Sequence, residues 1–94
     1  MILEARDSDY NKILIDTKDI SEYGEKYKNT PIEYLDLSVR AYVCLTRAGV
    51  KTIGDLLAMT DEELRKVKNL KKKGVWDVKD RLLEHWYDER GWSE

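Results

Sequence analysis

Apolar residues from position 30 onward recur at helical spacing between recognisable caps, whereas residues 1–29 carry short apolar runs in a polar setting. In that first stretch Met1-Ile2-Leu3 and Ile13-Leu14-Ile15 flank the polar run Arg6-Asp7-Ser8-Asp9-Tyr10-Asn11, a pattern that suits a two-stranded hairpin. Such a hairpin is marginal in water on its own. Thr17 or Asp19 then suits the cap of a short helix reaching about Tyr27, with Ile20 and Tyr23 on one face. The opening is therefore read as a β-hairpin or a helix. Asn29-Thr30-Pro31 marks a boundary, because the residue before a proline is pushed out of the helical region. Residues 1–29 form an N-terminal arm on this reading, and residues 30–94 a helical domain.

Within the second part the punctuation is regular. Thr30 is placed to cap a turn that begins at Pro31, a favoured first helical position. Ser38 precedes Val39-Arg40-Ala41-Tyr42-Val43-Cys44-Leu45, and Gly49 ends that helix. Thr52 caps Ile53-Gly54-Asp55-Leu56-Leu57. Thr60 and Glu63 have the spacing of a capping box at the head of a short helix reaching about Val67. A last helix spans about Lys72 to Tyr87, with Val75, Val78, Leu82 and Trp86 on one stripe. The expected fold is all-α: a compact bundle of four to five short helices with a helix-hairpin-helix, preceded by the arm. Val39, Leu45, Val50, Ile53, Leu56, Leu57, Leu64, Val67, Leu70, Val78, Leu82 and Leu83 are its expected core.

Composition narrows the function classes. The 94 residues are 41% hydrophobic and 38% charged, which describes a thin core under a heavily charged surface. No apolar run is long enough to span a membrane, and the start lacks the blocks of a signal peptide. The lone Cys44 makes no internal disulfide, so a reducing cytoplasm is the expected location. The net charge of −2 conceals an asymmetry. Arg65, Lys66, Lys68, Lys71, Lys72, Lys73, Lys79 and Arg81 face only Asp77 and Asp80 within residues 65–81, and local positive charge is what a phosphate backbone feels.

Catalysis finds little support. His85 is the only histidine and reads as a surface residue. Cys44 sits among apolar residues, as inert buried thiols do. Asp61-Glu62-Glu63 is an acidic first turn favoured by the helix dipole, not a metal cage. No glycine-rich phosphate loop is present. A binding module without cofactors or metal is the expectation, not an enzyme. Of the three tryptophans, Trp86 continues the core stripe, while Trp76 and Trp92 are candidate anchors for a protein partner, or else pack on the arm.

The stretch Pro31-Ile32-Glu33-Tyr34-Leu35-Asp36-Leu37-Ser38-Val39-Arg40 resembles the opening of the C-terminal domain of the bacterial RNA polymerase alpha subunit. The likeness continues through Cys44-Leu45-Thr46-Arg47-Ala48-Gly49-Val50, Thr52-Ile53-Gly54-Asp55-Leu56-Leu57 and Leu64-Arg65-Lys66-Val67-Lys68-Asn69-Leu70-Lys71-Lys72-Lys73. The resemblance implies a helix-hairpin-helix module that binds the minor groove of A/T-rich DNA, while other faces meet RNA polymerase, sigma factor or transcription regulators. It places Arg40 where the family inserts an arginine into the groove and Lys73 where a lysine contacts phosphate. Arg40, Lys68, Asn69, Lys71, Lys72 and Lys73 are the implied DNA-binding set. Three positions depart from the family pattern: Val43 replaces an asparagine, Lys71 a hairpin glycine, and Gly74 a serine. Lysine takes up a glycine-type backbone angle at a cost of about 1 kcal/mol. Weakened sequence preference with surviving non-specific attraction is the expected result. The family's full-length members hold an assembly domain before this module, so with Met1 as a true start the protein is expected to be a free-standing copy. The competing reading is a protein-interaction module that binds a transcription factor, sigma factor or polymerase without DNA.

Overall fold

The computed structural model describes residues 1–6 and 9–90. Strands β1 (Ile2–Arg6) and β2 (Lys12–Asp16) form an antiparallel hairpin with Leu3 opposite Ile15 and Ala5 opposite Ile13. A 3-10 turn (Thr17–Asp19) leads into α1 (Ser21–Tyr27), and a second (Ile32–Leu35) follows. Then come α2 (Val39–Arg47), α3 (Ile53–Leu57), α4 (Asp61–Arg65) and the long α5 (Lys71–Arg90). The arm thus holds both a hairpin and a helix, and the elements of the described residues after it are helical.

One apolar cluster runs through all of it. Leu3, Ile20 and Tyr23 from the arm are buried together with Ile32, Leu45, Ile53, Leu56, Leu64, Leu70, Val78, Leu82 and Trp86. A hairpin that would be marginal alone is stabilised because its Leu3–Ala5 face packs against α5. Two polar ties fix the hairpin in place. The Asp61 carboxylate accepts from the Ile2 N–H at 3.0 Å and pairs with Lys79 of α5. Burial would raise the Asp61 carboxyl, but the Lys79 ammonium and the Ile2 N–H together hold it below the usual carboxylate range. Thr17, buried, receives the Met1 amine at 3.0 Å and donates to the Leu57 carbonyl at 3.3 Å.

Most caps lie where the sequence puts them. The Ser38 hydroxyl accepts from the Ala41 N–H at 3.2 Å, Thr60 and Glu63 close a capping box, and Gly49 leaves α2 at a φ of 89°. Thr52 and Asp55 form a second capping box. Gly54 is required by close approach: a Cβ there would lie 2.4 Å from the Lys28 carbonyl oxygen at the end of α1.

Several expectations are corrected. Neither Thr17 nor Asp19 caps α1, whose N-cap is Ile20 without a side-chain bond; Asp16 caps the preceding 3-10 turn instead. Thr30 caps nothing with its side chain, because Pro31 is extended and pairs with Thr52, and the Thr30 carbonyl accepts from the Ile53 N–H at 2.7 Å. Val39 is not core but 80% exposed. At about 100° per residue it stands some 200° from Ala41, which opens the buried Ala41-Cys44-Leu45 stripe. Helix α5 outlasts its apolar stripe because Lys26 and Tyr27 of α1 both engage Glu89 near its end.

His85 is likewise not a surface residue. It is half-buried, and Tyr27, Tyr34 and Tyr23 meet its ring edge-on at centroid distances of 4.8, 5.0 and 5.4 Å. Its Nδ1 shares a hydrogen bond of 2.6 Å with the Tyr23 hydroxyl. Burial raises the Tyr23 phenol and lowers the His85 imidazolium, the latter against the opposing pull of Glu89 and Asp88, so both partners are neutral near pH 7. A depressed imidazolium pKa means that the folded state favours neutral His85. Its contribution is complete above the unfolded value of about 6.5 and is lost as pH falls through the lower folded value. Urea denaturation of wild type should therefore show stability declining as pH falls below about 6.5, a range in which imidazole and not carboxylate groups ordinarily titrate. The slope should vanish in His85→Phe; an identical slope in that variant would refute the assignment.

Candidate nucleic-acid interface

The predicted cations gather where two local structures meet. On α2, residues spaced by three and four share a face, so Arg40, Val43 and Arg47 form one outward stripe above the buried Cys44. Opposite lies the turn joining α4 to α5. In it Asn69 and Lys71 both take left-handed backbone, with φ of 66° and 59°, around Leu70, which is buried. Arg40, Val43, Cys44, Arg47, Ala48, Lys68, Asn69 and Lys71 line a single open cleft between them.

Three features hold this arrangement. Ser38 caps α2 through its hydroxyl, and its N–H donates to the Asp77 carboxylate of α5 at 3.1 Å, so α5 fixes the turn that carries Arg40. Leu70 packs against the start of α5, where a Cβ on residue 74 would come within 2.6 Å of Leu70 Cδ1; Gly74 is the residue that leaves room. Finally, α3 and α4 open on capping boxes with Asp55 and Glu63, whereas α5 has no acidic residue in its first turn. The positive end of its dipole adds to Lys71, Lys72 and Lys73 without local neutralisation.

Ion pairing separates the remaining cations. Lys66 pairs with Glu62 at 3.0 Å, Lys79 with Asp61, and Arg81 lies 4.0 Å from Asp77 and 3.7 Å from Glu84. Among the described residues no carboxylate pairs with Arg40, Arg47, Lys68, Lys71, Lys72 or Lys73.

Of the predicted residues, Arg40, Lys68, Asn69 and Lys71 are brought together. Lys72 is not part of this cleft: it lines a second groove, toward the hairpin, with Lys71 on the border of both. Lys73 is exposed and borders neither. Successive residues at about 100° cannot share a helix face, so the lysine triplet fans around the end of α5. Arg47 was missed, although its spacing of seven from Arg40 is the signal that places it on the same stripe. Trp76 is 72% exposed and lines a groove together with Ile2, Ala5 and Leu14 of the arm, while Trp86 is buried. Trp92 lies outside the described residues. Among the described residues no three His, Cys, Asp or Glu side chains converge as a metal site would, and no helix is long and apolar enough to cross a membrane.

Comparison with known proteins places the chain in one family. The family model for the C-terminal domain of the bacterial RNA polymerase alpha chain matches residues 18–84. The DNA-directed RNA polymerase subunit alpha of Symbiobacterium thermophilum is 45% identical over 78 residues, 83% of this chain and 24% of that subunit. The Thermotoga maritima subunit is 46% identical over 70 residues, 68% of this chain and 21% of its own length. That of Carboxydothermus hydrogenoformans is 50% identical over 58 residues, 62% and 18% respectively. The chain spans a quarter or less of the length of these relatives.

The left-handed Lys71 gives a direct check on the turn. Lys71→Gly should raise stability by about 0.5–1 kcal/mol in urea denaturation, the relief of backbone strain exceeding the entropy glycine adds to the unfolded chain. Lower stability would mean that residue 71 is not held at positive φ.

Proposed function

The protein belongs to the family of C-terminal domains of the bacterial RNA polymerase alpha chain, and from that membership we propose that it is a transcription-related DNA-binding domain, gripping a duplex through the cleft between α2 and the α4–α5 turn. The observation that most supports the reading is the meeting of Arg40, Arg47, Lys68, Asn69 and Lys71 in one cleft that, among the described residues, is lined by no carboxylate.

The chemistry follows from the parts. Lys68 and Lys71 offer charge to successive phosphates, and the free N–H groups at the head of α5 add donors along the dipole. Arg40, on a capped and tethered turn, is the side chain for a narrow minor groove, whose negative potential favours a guanidinium and is deepest in A/T-rich sequence. Val43 between the two arginines donates nothing to a base edge. Sequence preference therefore rests on groove width, and most of the affinity rests on phosphates. The domain works by binding and not by catalysis, in the cytoplasm, beside RNA polymerase and the regulators that meet it there.

Fluorescence titration with an A/T-rich duplex tests this. Affinity should fall steeply as salt rises from about 50 mM, each phosphate-paired cation adding about 0.9 to the slope of log K against log salt. Arg40→Ala should cost about 1–3 kcal/mol, and Lys68→Ala should reduce the slope by about one. Equal affinity and slope in both variants would reject the interface.

A further inference from the structure

The second groove lies between the hairpin and α5, on the far side of Lys71 from the arginine cleft. We infer that it is a docking site for an extended, acidic protein segment that adds a strand to the outer edge of β1. The proposal goes beyond the DNA reading and does not depend on it.

The backbone geometry points to a strand. Thr17 N–H donates to the Met1 carbonyl at 2.9 Å, so the backbone groups of residue 1 face the β2 side. Ile2 faces the other way, its N–H donating to Asp61 at 3.0 Å. Alternation along a strand puts the backbone groups of Glu4 and Arg6 on that same outer edge. The sheet has two strands among the described residues, so no third strand covers it. The Asp61 carboxylate already stands where the first carbonyl of an added strand would accept.

The side chains define the occupant. Opposite the β1 edge, α5 lines the groove with Val75, Trp76 and Leu83, while Leu14 comes from β2. Trp76 is 72% and Leu14 62% exposed, an uncovered apolar surface of the kind that marks a binding groove. Arg6, Arg65, Lys71 and Lys72 stand around it, with Asp80 and the Lys12-paired Glu4 as its acidic members. This rim favours carboxylates. Edge pairing supplies sequence-independent hydrogen bonds, alternate side chains reach the apolar floor, and flanking Asp or Glu meets the rim.

Selection of displayed random peptides of about twelve residues against the folded protein tests the proposal, with a Leu14→Glu/Trp76→Ala double variant as counter-target. Both side chains are exposed, and circular dichroism checks that the variant is folded. Enriched peptides should alternate apolar residues with Asp or Glu. Their synthetic forms should lose roughly tenfold in affinity on the double variant, on Arg6→Glu, and when alternate backbone amides are N-methylated. Equal binding to the double variant, winners with basic or helical patterning, indifference to N-methylation, or no enrichment would each overturn it. Duplex binding that the double variant loses, with no peptide enriched, would reassign the groove to nucleic acid.

Discussion

The turn between α4 and α5 depends on two residues other than glycine, Asn69 and Lys71, holding left-handed backbone on either side of buried Leu70. Each such residue costs on the order of 1 kcal/mol, and the turn persists because Leu70 fills the space that Gly74 leaves at the base of α5. That packing sets where α5 starts. The start of α5 in turn sets where Lys68, Asn69 and Lys71 stand relative to α2. Eight residues from Asn69, Asp77 reaches back to the Ser38 N–H and fixes the α2 turn that carries Arg40. Both walls of the cleft are thus referred to one helix.

Charge is distributed by the same framework. Lys79 and Arg81 lie past the first turn of α5 and find partners in Asp61, Asp77 and Glu84, and Lys66 finds Glu62 one turn back. The cations in the turn and on the exposed stripe of α2 have no such partner among the described residues. A protein that is acidic overall consequently presents one concentrated basic region. This is the condition for attracting a phosphate backbone without a high pI. The substitution of Lys71 for the glycine that the family resemblance implies extends this region, because Lys71 faces both the arginine cleft and the groove beneath Trp76.

Local chemistry was readable in the sequence, and long-range contacts were not. Ser38, Thr52, Thr60 and Gly49 act within a few residues of themselves, so spacing alone placed them. The hairpin showed in its two apolar runs. Thr17, Thr30 and His85 were misread because their partners are distant in sequence: the Leu57 carbonyl, α3, and a tyrosine cluster drawn from α1 and the turn after it. The Asp61–Lys79 pair and its hold on Ile2 bridge three elements and leave no local pattern. Val39 shows that an aliphatic at the first position of a helix is ambiguous until the buried stripe is phased. Within the candidate site, Arg40, Lys68, Asn69 and Lys71 were found from charge and resemblance. The separation of Lys72 and Lys73 from them is a matter of helical rotation that composition does not encode.

In the function proposed, α2 and the α4–α5 turn act as one duplex-binding surface organised by α5. Its most direct test is backbone amide mapping by NMR as an A/T-rich duplex is titrated into the isotopically labelled protein at low salt. Shifts should concentrate along Arg40, Val43 and Arg47 and over residues 68–71, and leave α1 and the His85 cluster unmoved. Shifts centred on α1 or the hairpin, with the arginine stripe silent, would rule this surface out.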